Sequence, residues 1–164
     1  MNDATLQDMT LATWAASVWQ KEVRGIPLKL HEAALGKCMR QHIEWRPFWD
    51  SLVTRNIEDS PKLGSILVHI YNDAAVQLQL DTKNPPEIHT LYEGMRGRGF
   101  TAEDALHQIA FVLEDVTWQA KTRGQSLDMQ QYIEKAKGYT QSVLCQPKLA
   151  RASRARLRTM RLDS

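Results

Sequence analysis

The chain has 164 residues, of which 43% are hydrophobic and 24% are charged, and it contains five Trp and two Cys. This length and composition favour one domain that buries a core without needing a disulfide or a metal to fold, and they exclude disorder of the whole chain. The formal net charge is only +2, so the charge distribution is more informative than the sum.

The N-terminal sequence MNDATLQDMT lacks the basic start and apolar run of a secretory signal, and no stretch of the chain reaches the length of a transmembrane segment. Cys38 and Cys145 stand far apart, without CxxC or Cys/His spacing around either of them. Such cysteines are typical of buried thiols in a reducing compartment. We therefore predict a cytoplasmic protein without disulfides.

In the first half of the chain, apolar residues recur every three or four positions, which predicts helices. The alternation of apolar and polar residues that predicts strands is nearly absent. A first helix is predicted to begin at Thr10 and to end at Gly25. A second is predicted over residues 29–45, with Glu32, Leu35, Met39 and His42 on one stripe and Pro47 ending it. A short amphipathic turn or helix follows, and Pro61 opens a helix predicted over residues 61–80.

In the second half of the chain, prolines, glycines and capping residues again mark where helices begin and end. Pro85 and Pro86 begin a short helix, and a helix capped by Thr101 runs to Arg123 before Gly124. A last helix is predicted over residues 128–145. Together these patterns predict an all-α protein, a single compact bundle of about six helices over residues 1–146, followed by an Arg-rich tail over residues 147–164. The residues expected to help fill the core are Trp14, Trp19, Trp45, Trp49 and Trp118.

No catalytic signature is present: G-x-S-x-G, the Walker loop and H-E-x-x-H are all missing. We therefore take as the default a non-catalytic interaction module that uses its basic C-terminal tail, and we expect no organic cofactor. Carboxylates and imidazoles on several predicted helices nevertheless suggest a transition-metal site as an alternative, because helical bundles build such sites from inward-facing side chains. The candidate ligands are Glu32, His42, His69, Asp73, His107 and Glu114.

This metal hypothesis competes with a purely structural interpretation. His107 points away from the best apolar face of its helix, which predicts a half-exposed side chain. A histidine beside a helical core more often forms a hydrogen bond to a carboxylate or a backbone oxygen than a bond to a metal. His31 and His89 fall near helix starts and are expected at the surface.

The tail is strongly basic. Six cations against Asp163 give residues 147–164 a charge of +5, which leaves −3 on the rest of the chain. Arg151, Arg154, Arg158 and Arg161 would form one stripe on a helix, with Leu149, Leu157 and Met160 on the other side. Such a tail can bind an acidic protein, a nucleic acid or an anionic membrane surface, or can serve only solubility. It has no aromatic residue to stack on bases. The basic residues in question are Lys148, Arg151, Arg154, Arg156, Arg158 and Arg161.

The order of residues up to position 137 resembles an uncharacterised bacterial family, the domain of unknown function 1841. Three segments carry the resemblance: WQKEVRGIPLKLHEAALGKCMRQHIEW, HIYNDAAVQLQLDTKNPPEIHTLYEGM and ALHQIAFVLEDVTWQAKTRG. The first contains Trp19, Gly25, Glu32 and the His42-x-Glu44-Trp45 group. The resemblance covers most of the predicted bundle and none of the tail.

This resemblance implies a helical bundle in the bacterial cytosol and no particular activity. It also implies a histidine four residues after His69 and acidic residues four and eight residues after His107, where this chain has Asp73, Phe111 and Asp115. A phenyl ring has no lone pair to donate to a metal. The departure at Phe111 therefore weakens the metal hypothesis for this member.

Overall fold

The computed structural model describes residues 3–54 and 61–145, and over these ranges the chain is helical with no strand. The prediction of an all-α fold is confirmed. The tail and the side chain of Cys145 lie outside the described residues. The α-helices are α1 (Asp3–Val23), α2 (Leu30–Gln41), α3 (Arg46–Thr54), α4 (Pro61–Thr82), α5 (Pro86–Gly97), α6 (Ala102–Thr122) and α7 (Met129–Cys145), with a 3₁₀ turn at Ile43–Trp45.

The chain divides into two compact units, Met1–Thr82 and Lys83–Ser164. The first contains α1 to α4 and the second contains α5 to α7. The single domain over residues 1–146 stays a prediction. None of the helices in the described ranges has the length and apolar character that crossing a membrane requires.

The first unit is held together by the packing of α2 against α4 and of α1 against α3. Two hydrogen bonds reinforce this packing: Trp19 Nε1 donates to Asp50 Oδ1 over 2.7 Å, and the Tyr71 hydroxyl donates to the Leu11 carbonyl over 2.7 Å. The buried core of this unit includes Ala15, Val18, Trp19, Leu35, Cys38, Met39, Trp49, Leu52, Leu67 and Ile70. The buried Cys38 confirms the structural thiol predicted at that position.

The predicted helix over residues 29–45 is interrupted. The α2 helix ends at Gln41, His42 adopts φ −92° and ψ 61°, and the chain passes through the 3₁₀ turn into α3. Pro47 lies in the first turn of α3 instead of ending a helix. The physical reason is that a proline in a first turn lacks only an N–H that has no helical partner there.

In the second unit, α5, α6 and α7 contact one another. The Thr101 hydroxyl caps α6 by accepting a hydrogen bond from the Asp104 N–H at 3.0 Å, as the sequence predicts. Gly124 adopts φ +65° after the helix, the left-handed conformation that glycine takes without strain. The buried residues here include Ile88, Met95, Leu106, Ile109, Leu113, Val116, Tyr132 and Ala136.

Two expectations about α6 are wrong. Trp118 was expected in the core, but its side chain is 65% exposed because it lies on the face opposite Leu113 and Val116. His107 was expected to be half exposed, but it is buried. Near its beginning, α6 therefore buries polar side chains as well as the apolar face, so that every residue from Ala105 to Ala110 is buried.

We predict that Thr101→Ala lowers the free energy of unfolding by about 1 kcal/mol, because it removes the cap of α6. Urea denaturation followed by circular dichroism measures the change. Thr117→Ala is the matched control, since Thr117 is exposed within the same helix and alanine is the better helix former there. Equal destabilisation by the two substitutions would contradict the capping role.

Candidate metal centre

The first element of the site is His42, which occupies the turn where α2 ends. Its backbone N–H still donates to the Cys38 carbonyl, so the residue remains attached to the last turn of the helix. Its φ and ψ have already left the helical region. The imidazole is buried, with only 4% of the side chain exposed.

The second element is a pair on α4. His69 and Asp73 are four residues apart, a spacing that places two side chains on the same face of a helix. The Asp73 side chain is 1% exposed, whereas the His69 side chain is 29% exposed. Because α2 packs along α4, the end of α2 brings His42 onto this pair.

The geometry around Asp73 is tight. Its Oδ2 lies 3.0 Å from His42 Nε2 and 3.2 Å from His69 Nε2. One ligand atom from each of the three residues lies within 4.8 Å of those from the other two. His42, His69 and Asp73, which we call the α2–α4 triad, therefore present two imidazoles and one carboxylate to a common point.

One indole contacts both imidazoles of the triad. The Trp45 indole stacks on the His42 imidazole, with ring centroids 4.5 Å apart and an interplanar angle of 16°, and meets the His69 ring edge-on at 5.3 Å. Trp45 in turn contacts Trp49 at 6.0 Å. Contact with the Trp45 indole restricts both imidazoles to a few orientations, and such fixed ligands are what a metal site needs.

Two further groups adjust the electrostatics. Glu44 Oε1 lies 3.4 Å from His42 Nδ1, on the side of the ring opposite Asp73. Burial raises the pKa of the Cys38 thiol, and the negative charge of Asp73 raises it further. Cys38 therefore remains a neutral thiol, and the potential metal ligands of the triad are its nitrogen and oxygen atoms.

Another sequence candidate, Glu32, has different surroundings. Glu32 lies in the first turn of α2, where it pairs with Lys21 and accepts a hydrogen bond from the Lys29 N–H at 3.0 Å. The hydrogen bond from Lys21 lowers the pKa of Glu32. His107 is buried and Glu114 exposed on α6 of the second unit, and both remain sequence-based candidates.

Sequence reasoning missed Glu44 and Trp45 as parts of this site. Both belong to the His42-x-Glu44-Trp45 group, and the short spacing itself was the available signal. It was missed because a continuous helix would point side chains two and three residues apart in different directions, whereas the actual 3₁₀ turn folds Glu44 and Trp45 back onto His42.

A family model described as a domain of unknown function, DUF1841, matches residues 9–138. The chain belongs to the DUF1841 family. The match covers α2, α4 and the whole triad, so the site lies within the part of the chain that defines DUF1841 membership. No curated protein and no solved structure matches the chain.

Membership of DUF1841 confirms the resemblance drawn from the sequence and carries no activity with it. Aspartate at position 73 is compatible with a metal site, since aspartate, like histidine, is a common ligand of transition metals. Phe111 lies on the exposed side of α6 in the second unit. Two imidazoles and a carboxylate within 4.8 Å of one another could hold a metal ion.

Proposed function

We propose that this protein binds one divalent transition-metal ion through His42 Nε2, His69 Nε2 and the carboxylate of Asp73. The observation that carries the proposal is the convergence of three ligand atoms within 4.8 Å, from two different helices, at a mostly buried point. Imidazole and carboxylate together suit zinc, iron, cobalt and nickel.

The observed spacing fits this role. With metal–ligand bonds near 2.1 Å, two ligands of one ion stand roughly 3 to 3.5 Å apart. The two nitrogen-to-oxygen distances of 3.0 and 3.2 Å fall in that range. They are also hydrogen-bond distances, so the same arrangement holds the ligands together before an ion arrives.

Glu44 would hold the proton of the His42 ring on the nitrogen that does not bind the ion. When Nε2 of His42 binds an ion, the proton of the neutral ring must be on Nδ1. Glu44 Oε1 faces that nitrogen and accepts the hydrogen bond. A carboxylate in this position fixes the tautomer and raises the basicity of the ligating nitrogen.

Access to the ion is provided on one side. His69 is the most exposed member of the triad, while Asp73 and His42 are buried. Coordination positions near His69 are therefore the ones that water or a small ligand reaches. This arrangement suits a site that keeps an open coordination position for exchangeable ligands. A purely structural site, by contrast, is closed by protein ligands on all sides.

We expect untagged, metal-stripped protein to bind one equivalent of Co²⁺ or Zn²⁺. His42→Ala, His69→Ala and Asp73→Asn should each weaken the affinity at least about 100-fold, because each removes a protein ligand of the proposed ion. Isothermal titration and the visible absorption of Co²⁺ measure binding. Quenching of Trp45 fluorescence by Co²⁺, lost in Trp45→Phe, locates the ion.

Glu32→Gln is the matched control for these variants. It removes a carboxylate that pairs with Lys21 at the start of α2, and the affinity for Co²⁺ should not change. Uptake below a tenth of an equivalent, or an Asp73→Asn variant that binds like the parent chain, would show that the triad is only a hydrogen-bonded structural network.

A separate prediction concerns Glu44. Glu44→Gln should lower the affinity about 10- to 100-fold without changing the stoichiometry, since it weakens the hydrogen bond that supports His42. The same titration measures both quantities. Glu93→Gln, an exposed substitution on α5 in the second unit, controls for the loss of one negative charge, and an equal effect of the two substitutions would rule out a supporting role for Glu44.

A second function is favoured by the charge of the tail. The +5 charge of residues 147–164, next to a body of −3, supports binding of an acidic protein surface through the arginine stripe. The absence of aromatic residues from the tail makes it a poor binder of bases.

Replacing Arg151, Arg154, Arg158 and Arg161 by Gln should abolish binding to polyglutamate, a model acidic surface, at low salt. Fluorescence anisotropy of labelled polyglutamate measures it. The control replaces four exposed cations of the body, Lys83, Arg98, Lys121 and Arg123. Loss of binding only in this control would refute the assignment to the tail, and tighter binding to single-stranded RNA would make the partner a nucleic acid.

A further inference from the structure

Three aliphatic side chains are exposed where α1 turns into α2. Val23, the last residue of α1, is 62% exposed, Ile26 in the turn is 45% exposed, and Leu30, the first residue of α2, is 54% exposed. Arg24 and Lys29 are exposed beside them. We call these five residues the α1–α2 patch. Single exposed aliphatic residues are ordinary, but three within one turn indicate an interaction surface.

The turn that carries the patch is anchored to the first unit. The Ile26 N–H donates to the Lys21 carbonyl over 2.9 Å, a bond that closes the end of α1. The Leu28 side chain packs against α2 at Gly36, where an added Cβ would lie only 2.9 Å from Leu28 Cδ1. Leu28 therefore fixes the turn, while the aliphatic side chains of the patch remain exposed.

The patch projects past the end of α4. The end of α2 meets Asp73 through His42. Five residues earlier, Lys37 pairs with Asp81 at 3.7 Å, and Asp81 is the last residue but one of α4. The two helices are therefore antiparallel, and Leu30 lies about 10.5 Å further along α2, beyond this end of α4. A projecting turn of this kind can enter a planar surface.

The patch is cationic. Residues 23–31 include Arg24 and Lys29 and contain no carboxylate. The two carboxylates that flank this stretch are neutralised by ion pairs, which are Glu22 with Arg40 and Glu32 with Lys21. Arg24 and Lys29 therefore leave a charge of +2 beside the aliphatic side chains. A partner that complements the patch must be both anionic and apolar.

We propose that the α1–α2 patch inserts into the surface of an anionic lipid bilayer. Such a surface carries negative headgroups directly above hydrocarbon, so it complements both properties of the patch. Val23, Ile26 and Leu30 would enter the boundary of the acyl chains, while Arg24 and Lys29 extend to the headgroups. The chain then lies on the bilayer without spanning it. This attachment depends on neither function proposed above.

Two other occupants complement the patch less well. A nucleic acid would pair with Arg24 and Lys29 but would leave the aliphatic side chains in contact with water. A second copy that meets the same patch across a two-fold axis would bring like charges together. The bilayer satisfies the charge and the apolar surface at once.

An environment-sensitive fluorophore in the full chain tests insertion. Pro27→Cys in a Cys145→Ser background carries the label nitrobenzoxadiazole, and the buried Cys38 is not accessible to it. On vesicles of phosphatidylglycerol and phosphatidylcholine in equal amounts, we expect its emission to shift to the blue and to rise at least about twofold, because the turn enters an apolar layer. Vesicles of phosphatidylcholine alone should cause no shift. Ser126→Cys, at the exposed α6–α7 turn, is the matched labelled control and should keep its emission in water.

Sedimentation with the same anionic vesicles separates the two contributions. It uses the chain that carries the four tail substitutions described above, so that the tail does not hold the protein on the vesicle. Ile26→Ser with Leu30→Ser should weaken the vesicle affinity at least about 10-fold, because two aliphatic side chains no longer enter hydrocarbon. Arg24→Gln with Lys29→Gln should weaken it about 30-fold at low salt, or about fivefold for each cation.

The α6–α7 turn supplies matched controls for these variants, because it also joins two helices and exposes residues of both kinds. Leu127→Ser with Met129→Ser removes two exposed apolar side chains there, and Lys121→Gln with Arg123→Gln removes two exposed cations. Each pair should change the vesicle affinity less than about twofold, since neither lies on the inserting surface. Circular dichroism of every variant should equal that of the parent chain.

Binding to vesicles while the label at residue 27 keeps its emission in water would show that another surface holds the protein, and would overturn the proposal, as would no binding at all. A blue shift without vesicles that grows with protein concentration would make the occupant a second copy. Single-stranded RNA that binds the Ile26 and Leu30 variant but not the Arg24 and Lys29 variant, with no insertion into vesicles, would make the partner a nucleic acid.

Discussion

Burial of the Asp73 carboxylate is the constraint on which the first unit depends. An ionised carboxylate in a protein interior is strongly destabilising unless cationic or hydrogen-bonding groups compensate it. Asp73 meets this condition with His69 from its own helix and His42 from the end of α2. The packing of α2 on α4 therefore brings His42 to Asp73. It also buries the apolar core around Leu35, Met39 and Ile70.

The same constraint explains why the end of α2 has an unusual shape. If α2 continued to residue 45, His42, Glu44 and Trp45 would point in three different directions around the helix. The 3₁₀ turn at Ile43–Trp45 instead lets Glu44 reach one nitrogen of His42 while Trp45 stacks on the ring. A local departure from regular helix thus positions the imidazole.

Most of the fold could be predicted because its determinants are local. Thr101, Gly124 and the paired prolines act within a few residues of where they stand, and apolar periodicity reports which face of a helix is buried. Trp118 shows the limit of this reasoning. Size and hydrophobicity suggest burial, but position on the helix decides it, and Trp118 lies with Phe111 on the exposed face.

The site was only partly predictable for a related reason. The i,i+4 spacing places His69 and Asp73 together whatever the rest of the chain does. Glu32 shares a helical stripe with His42, yet the two have different partners, because Lys21 and the Lys29 N–H bind the carboxylate at the other end of α2. A sequence pattern gives the face of a helix but does not say which neighbour meets each end of it.

The donor set also limits the chemistry that the triad can support. Cys38 is near enough to Asp73 for the carboxylate charge to raise its pKa, in addition to the larger effect of burial. A thiol held in its neutral form is a weak ligand, because metals bind the thiolate. The triad thus offers nitrogen and oxygen atoms and no thiolate, a donor set of the kind that suits borderline divalent ions such as zinc or iron(II) better than soft copper(I).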